Sequence, residues 1–177
     1  MSLIENDTVK LRALEPDDLD TLFSVENNID LWDISNTIAP FSRDLLRKYI
    51  DNAHQDIYEA RQLRLVIANK SNNITVGLID LFDYDPKHQR AGVGILILHQ
   101  FLHQGFASSA LSLFISYAFD HLDLHQLYAN IPSSNQPSLA LFKKLKFRHI
   151  GTQKDWIKVK GIFKDVERFQ IINSKSL

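Results

Sequence analysis

The segment that most constrains this chain is an apolar strand, loop and helix in its second half. Residues 91–98 (AGVGILIL) form an apolar run of strand length, and residues 105–122 carry apolar side chains at helical spacing. The stretch HQGFASSAL at 103–111 joins them with a glycine, small residues and no Asp or Glu. Unpaired N–H groups make a helix start partly positive, so acidic residues are usual there. The stretch predicts a helix N-terminus suited to an anionic ligand, or else a packed turn that needs glycine for its small size.

The other segments predict further strands and helices of one mixed sheet. The predicted order is β-α-α-β-β-β-α-β-α-β-β, an α+β (α/β mixed sheet) architecture with helices packed on the sheet. No repeat, linker or low-complexity stretch divides the sequence, so we expect a single domain over 1–177. The predicted strands are 8–14, 63–69, 74–82, 91–98, 126–131 and those around 156–160 and 165–172, and the predicted helices begin near Pro16, Ser42, Gly105 and Pro137.

Composition narrows the classes of function. The 177 residues have a formal net charge of −1, which gives no global electrostatic reason to expect nucleic acid or a membrane surface as a partner. The chain has no cysteine, no apolar run near the ~20 residues of a membrane span, and no signal-peptide pattern at its start. We therefore expect a cytoplasmic protein. Two His pairs at i, i+4 spacing (99 and 103, 121 and 125) have no apparent third ligand, so no metal is expected.

A second segment carries a family resemblance. NQPSLALFKKLKF at 135–147 follows the short strand QLYANI, and with HQGFASSAL it resembles the two signature segments of the GNAT superfamily of acetyl-CoA-dependent N-acetyltransferases. The resemblance spans nearly the whole chain and is nearest to the branch that acetylates polyamines and the N-termini of ribosomal proteins. It implies the GNAT fold, a central mixed sheet flanked by helices, and acetyl-CoA as cosubstrate. The implied CoA-binding residues are Leu96, Ile97, Leu102, His103, Gln104, Gly105, Phe106, Ala107, Ser108, Ser109, Asn135, Ser138, Phe142 and Lys144.

The match departs from the family pattern at four positions. Leu102 stands where the phosphate-binding loop usually begins with Gln or Arg, and Lys146 replaces the glycine of a Gly-Phe pair. Phe142 stands where the family often has a Tyr that protonates the departing thiolate, and Gly92 where many relatives have a Glu that can act as base. A catalytic base and acid must therefore come from elsewhere, or be supplied by bulk water.

The resemblance implies direct attack of an amine on the acetyl thioester. The oxyanion would be held by backbone N–H groups around Leu96 and Ile97. Asp80 is the predicted base, acting through a water, because apolar residues flank this acid in the sequence. Ser138 is a candidate proton donor, although a residue in the first turn of a helix can equally be structural. Thiols have a pKa of about 8.5, so the thiolate leaves readily even without a Tyr.

Acids and a tryptophan are the candidates for binding the amine. Glu26, Trp32 and Asp33 lie together near the N-terminal helices, and an aromatic ring beside carboxylates suits a cation. Trp32 can also be a core or dimer contact. Asp83 is a further candidate, but a regular strand would place Asp80 and Asp83 on opposite faces of the sheet.

Three functions stay open at this point. The first is acetyl transfer to a primary amine, with a polyamine such as spermidine as the candidate acceptor. The second is acetylation of a peptide N-terminus of the ribosomal-protein type, and the third is a CoA-binding sensor or scaffold with little catalysis. A homodimer or larger homo-oligomer is a candidate assembly, because relatives commonly form one.

Overall fold

A seven-stranded mixed sheet is the centre of the fold. The structure is a computed structural model that describes residues 4–35 and 37–174 and, at 33 and 34, the backbone alone. The strand order is β1-β2-β3-β4-β5-β7-β6. The strands are β1 (Val9–Arg12), β2 (Leu63–Asn69), β3 (Thr75–Asp85), β4 (Arg90–Ile97), β5 (Gln126–Pro132), β6 (Arg148–Val159) and β7 (Ile162–Ile172).

Six α-helices in the described residues pack against this sheet, and two short 3-10 helices lie at Pro16–Asp18 and His99–Phe101. The predicted mixed sheet flanked by helices is confirmed. Two short helices were not predicted, and β6 begins at Arg148, earlier than the sequence suggested. None of the described helices has the length and apolar character needed to cross a membrane. The helices are α1 (Leu19–Glu26), α2 (Ile29–Ser35), α3 (Arg43–Asp51), α4 (Ile57–Ala60), α5 (Phe106–Asp120) and α6 (Gln136–Lys144).

The two faces of the sheet are covered by different helices. On one face, buried residues of α5 and α6, including Phe114 and Leu139, pack against Ile79 and Leu81 of β3. On the other face, Leu22 of α1 and Leu46 and Ile50 of α3 pack against Val66 and Leu78. Successive strand residues alternate between these faces, so neighbouring residues of one strand face different helices.

The strands β4 and β5 diverge after a short parallel contact. They pair only at Arg90↔Gln126, Ala91↔Leu127 and Gly92↔Tyr128, whereas β4 stays paired with β3 as far as Ile97. Beyond Gly92 the edges of β4 and β5 no longer meet, which leaves a V-shaped gap in the sheet. The chain leaves both diverging ends toward a helix: α5 follows β4, and α6 follows β5. Two helix N-termini therefore follow the open end of the gap.

Candidate active site

The N-terminus of α5 has the geometry that the sequence predicted for an anion site. Gly105 is the N-cap with φ 84°, in the left-handed region, and no side chain caps this end within the described residues. The first-turn N–H groups of α5 therefore lack a protein acceptor on their own helix and face outward. A Cβ built on Gly105 would meet nothing within 4 Å, so the positive φ, and not crowding, requires glycine here.

Several predicted side chains of this loop have structural contacts. The Gln104 amide donates to the Gln100 carbonyl at 3.1 Å, and the Ser109 hydroxyl donates to Oδ1 of Asn6 at 3.1 Å. Phe106 is buried with its ring edge against Phe101, while Leu102 and His103 are exposed. Ala107 and Ser108 are half-buried in the first turn. An anion at this helix start would consequently meet backbone N–H groups and small side chains.

The start of α6 is capped by the predicted asparagine. Oδ1 of Asn135 accepts a hydrogen bond from the Ser138 backbone N–H at 3.2 Å, and Ser138 is half-buried in the first turn. Phe142 is only 3% exposed, and its ring lies edge-on to Phe147 with centroids 4.9 Å apart. Lys144 is exposed in the last turn, at the opposite end of α6 from Asn135. The structure thus places Asn135 and Ser138 at the start of α6, Phe142 in the core and Lys144 at the other end of the helix.

Backbone N–H groups of β4 point into the gap at alternate residues. The Leu98 N–H donates to the Val76 carbonyl at 2.9 Å, and the antiparallel register continues without a shift from Ile97 to Gly92. Because an antiparallel ladder alternates, the N–H of Leu96 points toward β3 while those of Ile95 and Ile97 point toward β5. Of the two predicted oxyanion donors, only the N–H of Ile97 points into the gap. The N–H of Ile95 also points there, so Ile95 is a further candidate donor.

A cavity of about 630 Å³ lies on the α1–α3 face of the sheet beside this gap. Its walls come from the end of α1, from α2 and α3, and from residues of the strands β2 to β7. Three carboxylates line it, those of Glu26, Asp80 and Asp83, together with the guanidinium of Arg64. With their usual charges, these four side chains give the cavity a net negative charge. Its aromatic residues are Tyr49, Phe82 and Trp156.

Arg64 joins two of the three acids. Its Nε and Nη2 donate to the two carboxylate oxygens of Asp80 at 2.6 and 3.1 Å, and its Nη1 donates to Glu26. Asp80 and Arg64 are direct cross-strand partners, while Glu26 is the last residue of α1. Apolar residues flank Asp80 in the sequence, but its near neighbour in space is a guanidinium and its side chain is 30% exposed.

Asp83 reaches the cavity because β3 is irregular. The register between β3 and β4 shifts between Phe82 and Asp85, and Asp83 has a φ of 51°. This bulge turns the side chain of Asp83 to the face on which Asp80 lies, so the opposite-face expectation, which assumed a regular strand, does not apply. The hydroxyl of Tyr128 donates to Asp83 at 3.2 Å. Burial and the charge of Asp83 raise the pKa of Tyr128 to about 12, so this phenol stays protonated at neutral pH.

The ring of Phe82 fills the space that a Glu side chain would take at position 92, where this chain has glycine. A Cβ on Gly92 would lie 2.2 Å from Cε2 of Phe82, and a Cβ on Gly94 would lie 3.9 Å from this ring. The Phe82 ring also packs edge-on against Tyr128 with centroids 5.9 Å apart. A side chain at position 92 would therefore displace the Phe82 ring.

Two candidate amine-binding residues lie apart from the cavity or outside the described atoms. The indole N–H of Trp32 donates to the Glu26 carbonyl at 2.8 Å, and Trp32 is absent from the cavity wall. It ties α2 to the end of α1. The side chain of Asp33 lies outside the described residues. Among the side chains that the structure describes, no three His, Cys, Asp or Glu groups are arranged to hold a metal ion.

Among the cavity residues that the sequence did not identify as site residues are Tyr49, Arg64 and Trp156. Arg64 had a detectable signal, because it is a charged residue inside the apolar strand LRLVIAN, at a position that faces the same helices as Val66. Tyr49 lies on α3, and its phenol lines the cavity, where burial raises its pKa. No sequence pattern around Trp156 pointed to the cavity, because the pairing of β6 with β7 brings this residue there.

The comparison with known families identifies the class of protein to which this divided sheet belongs. Residues 8–148 match the Acetyltransferase (GNAT) domain family, so the chain belongs to this family of acetyltransferases.

Spermidine acetyltransferases are among its relatives. The chain is 27% identical to spermidine N(1)-acetyltransferase of Vibrio cholerae serotype O1, over 97% of both chains. The crystal structure of the Vibrio cholerae enzyme in complex with CoA and spermine is similar with a TM-score of 0.85 and 25% identity, over 96% of this chain and 98% of that one. A dodecameric structure of the same enzyme, in an intermediate state, gives a TM-score of 0.80 and 27% identity, over 97% and 98%.

Proposed function

We propose that this protein transfers the acetyl group of acetyl-CoA to a primary amine of a polyamine such as spermidine. The observation that carries the proposal is the acid-lined cavity beside the gap between β4 and β5. A net negative cavity with aromatic walls favours a ligand that carries several ammonium groups over a neutral or anionic one. The relatives that act on spermidine and bind spermine support this choice.

The cosubstrate is proposed to bind on the other side of the gap. Its pyrophosphate would accept hydrogen bonds from the backbone N–H groups of residues 104–109, at the start of α5, where Gly105 provides the turn. The pantetheine arm would run along the gap between β4 and β5, past the start of α6 with Asn135 and Ser138. Donor and acceptor would then approach the gap from opposite faces of the sheet, so that the thioester and the amine meet inside it.

The reaction needs a neutral amine and a stabilised oxyanion. The amine nitrogen forms a bond to the thioester carbon, the C–S bond breaks, and the amine loses its proton. Asp80 is the proposed acceptor of this proton, through a water, because its side chain lines the cavity and is partly exposed. The N–H groups of Ile95 and Ile97 are the proposed oxyanion donors. Ser138 is the proposed proton donor to the thiolate.

The assembly is proposed to be a homo-oligomer, since the Vibrio cholerae relative has a dodecameric structure. The absence of cysteine agrees with a reducing compartment, and the cytoplasmic location stays a prediction. Sedimentation analysis of the purified chain measures the assembly directly, and a monomer at micromolar concentration would contradict this part of the proposal.

The test of the reaction is thiol release from acetyl-CoA across a panel of acceptors. The panel contains spermidine, spermine, a monoamine and a peptide with a free N-terminus of ribosomal type. We expect release with spermidine and spermine to exceed release with the monoamine, and mass spectrometry to show one acetyl group added to the amine. Release with the peptide alone would show the N-terminal activity instead, and CoA binding without release would show a sensor or scaffold.

A further inference from the structure

Arg64 is the only cationic side chain among the described residues of the cavity wall. It arises from the sheet, yet it bonds to Asp80 in the sheet and to Glu26 at the end of α1, so it lies between two layers of the fold. Its side chain is 23% exposed, and its guanidinium lies 5.8 Å from the ring centroid of Tyr49. An aromatic face and two carboxylates are the surroundings that an alkylammonium group also prefers.

The charge balance of the cavity depends on this side chain. Burial alone would lower the pKa of Arg64, but the charge and hydrogen bonds of Asp80 and the charge of Glu26 raise it above its usual value. Arg64 therefore stays positive and cancels one of the two negative charges that it contacts. Asp83 contacts the hydroxyl of Tyr128, which carries no charge at neutral pH.

We propose that Arg64 takes the place of one substrate ammonium in the acceptor cavity and thereby sets how many charges the bound amine carries. This inference rests on the proposed function and specifies its substrate class. An amine whose ammonium approaches Glu26 or Asp80 meets the positive guanidinium, whereas one that approaches Asp83 does not. The cavity therefore favours an amine of moderate charge, such as the triamine spermidine, over the tetraamine spermine.

The proposal can be tested by changing the net charge of three side chains, the trio of Glu26, Arg64 and Asp80. The wild-type trio has one net negative charge. Arg64→Gln leaves two, Glu26→Gln leaves none, and the double variant restores one. The measured quantity is the ratio of kcat/KM for spermine to kcat/KM for spermidine at neutral pH and low salt.

We expect the ratio to follow the charge of the trio. It should rise on the order of tenfold in Arg64→Gln, fall by a similar factor in Glu26→Gln, and return to the wild-type value in the double variant. A factor of this size is expected for one unit charge at roughly 10 Å with an effective dielectric constant of about 20. Added salt at about 0.5 M should shrink these differences, because ions screen charges at this range.

A purely structural ion pair would give a different pattern. Each variant would then lose stability and lose activity toward both amines by similar factors. The ratio would stay within twofold of wild type in all three variants, and that result would overturn the proposal. If Arg64→Gln does not fold, as judged by its melting curve, Glu26→Gln and the double variant still test the charge rule. Wild-type protein that acetylates no amine would refute the proposed function itself, and that result is distinct from an unchanged ratio.

Discussion

Asp80 and Asp83 lie three residues apart in the sequence, and the structure gives them different surroundings. Asp80 accepts two hydrogen bonds from Arg64, whereas Asp83 accepts one from Tyr128. We predict that Asp80→Asn lowers turnover on the order of a hundredfold at pH 7, the usual size of general-base catalysis. The loss should be much smaller near pH 9, where more of the amine has already lost its proton.

Initial rates between pH 7 and 9 measure this effect. Asp83→Asn is the matched control, because it removes a cavity carboxylate that does not contact Arg64. We expect that control to raise KM for the amine with a smaller change in kcat. If Asp80→Asn turned over as fast as wild type at every pH, Asp80 would act only through its ion pair and not as a base.

Phe142 differs by a single hydroxyl group from the Tyr that the family pattern has at this position. Its ring is buried against Phe147, so a Tyr there keeps the packing and adds a phenol that needs a partner. We predict that Phe142→Tyr leaves turnover unchanged or raises it. Steady-state rates with a melting curve provide the check, and a large fall in turnover at unchanged stability would contradict the alignment of Phe142 with the Tyr of the family pattern.

At the scale of an element, the N-terminus of α5 combines a glycine turn with unpaired N–H groups. We predict that Gly105→Glu weakens CoA binding at least tenfold, because it adds a carboxylate where the pyrophosphate would lie. The φ of 84° strains any other residue, so Gly105→Asn is the control: Asn tolerates this conformation better than most residues and adds no charge. Calorimetric titration with CoA compares the two, and equal affinities would remove the phosphate-site assignment.

The helix α6 also shows how far apart two of the predicted CoA-binding side chains lie. An α-helix rises about 1.5 Å per residue, so Lys144 lies roughly 9 Å along α6 from Ser138. Two residues that match the same family motif therefore lie well separated along one helix.

At the scale of the whole molecule, one buried ion pair joins β1, the 3-10 helix before α1, and β3. The carboxylate of Asp18 accepts hydrogen bonds from Arg12 at 2.7 and 2.9 Å, from Thr75 at 3.1 Å and from the Glu15 N–H at 2.9 Å. Burial alone would raise the pKa of Asp18, but these hydrogen bonds and the charge of Arg12 lower it below the usual value.

A lowered pKa in the folded state means that the folded protein favours the ionised carboxylate. The stabilisation is therefore complete above the unfolded pKa of about 4 and is lost as pH falls through the lower folded pKa. We predict that Asp18→Asn destabilises the fold by about 2 to 4 kcal/mol at pH 7, because it leaves Arg12 without its buried partner. Urea unfolding at pH 7 and near pH 3 measures this, and the difference from wild type should shrink at the lower pH. If the variant and wild type differed in unfolding free energy by the same amount at both pH values, the proposed role of the ionised Asp18 would be wrong.

The sequence by itself determined the sheet, the two helix starts and the family. Apolar periodicity and turn residues are local, so they identified the seven strands and the four longest helices, and Gly105 marked the turn at the start of α5. Tertiary structure alone decided the acid-lined cavity beside the gap. Arg64, Glu26 and Trp156 come from three distant segments, and strand pairing and helix packing bring them together. The bulge at Asp83 and the Phe82 ring over Gly92 depend on how β3 pairs with β4, a contact that no local pattern encodes.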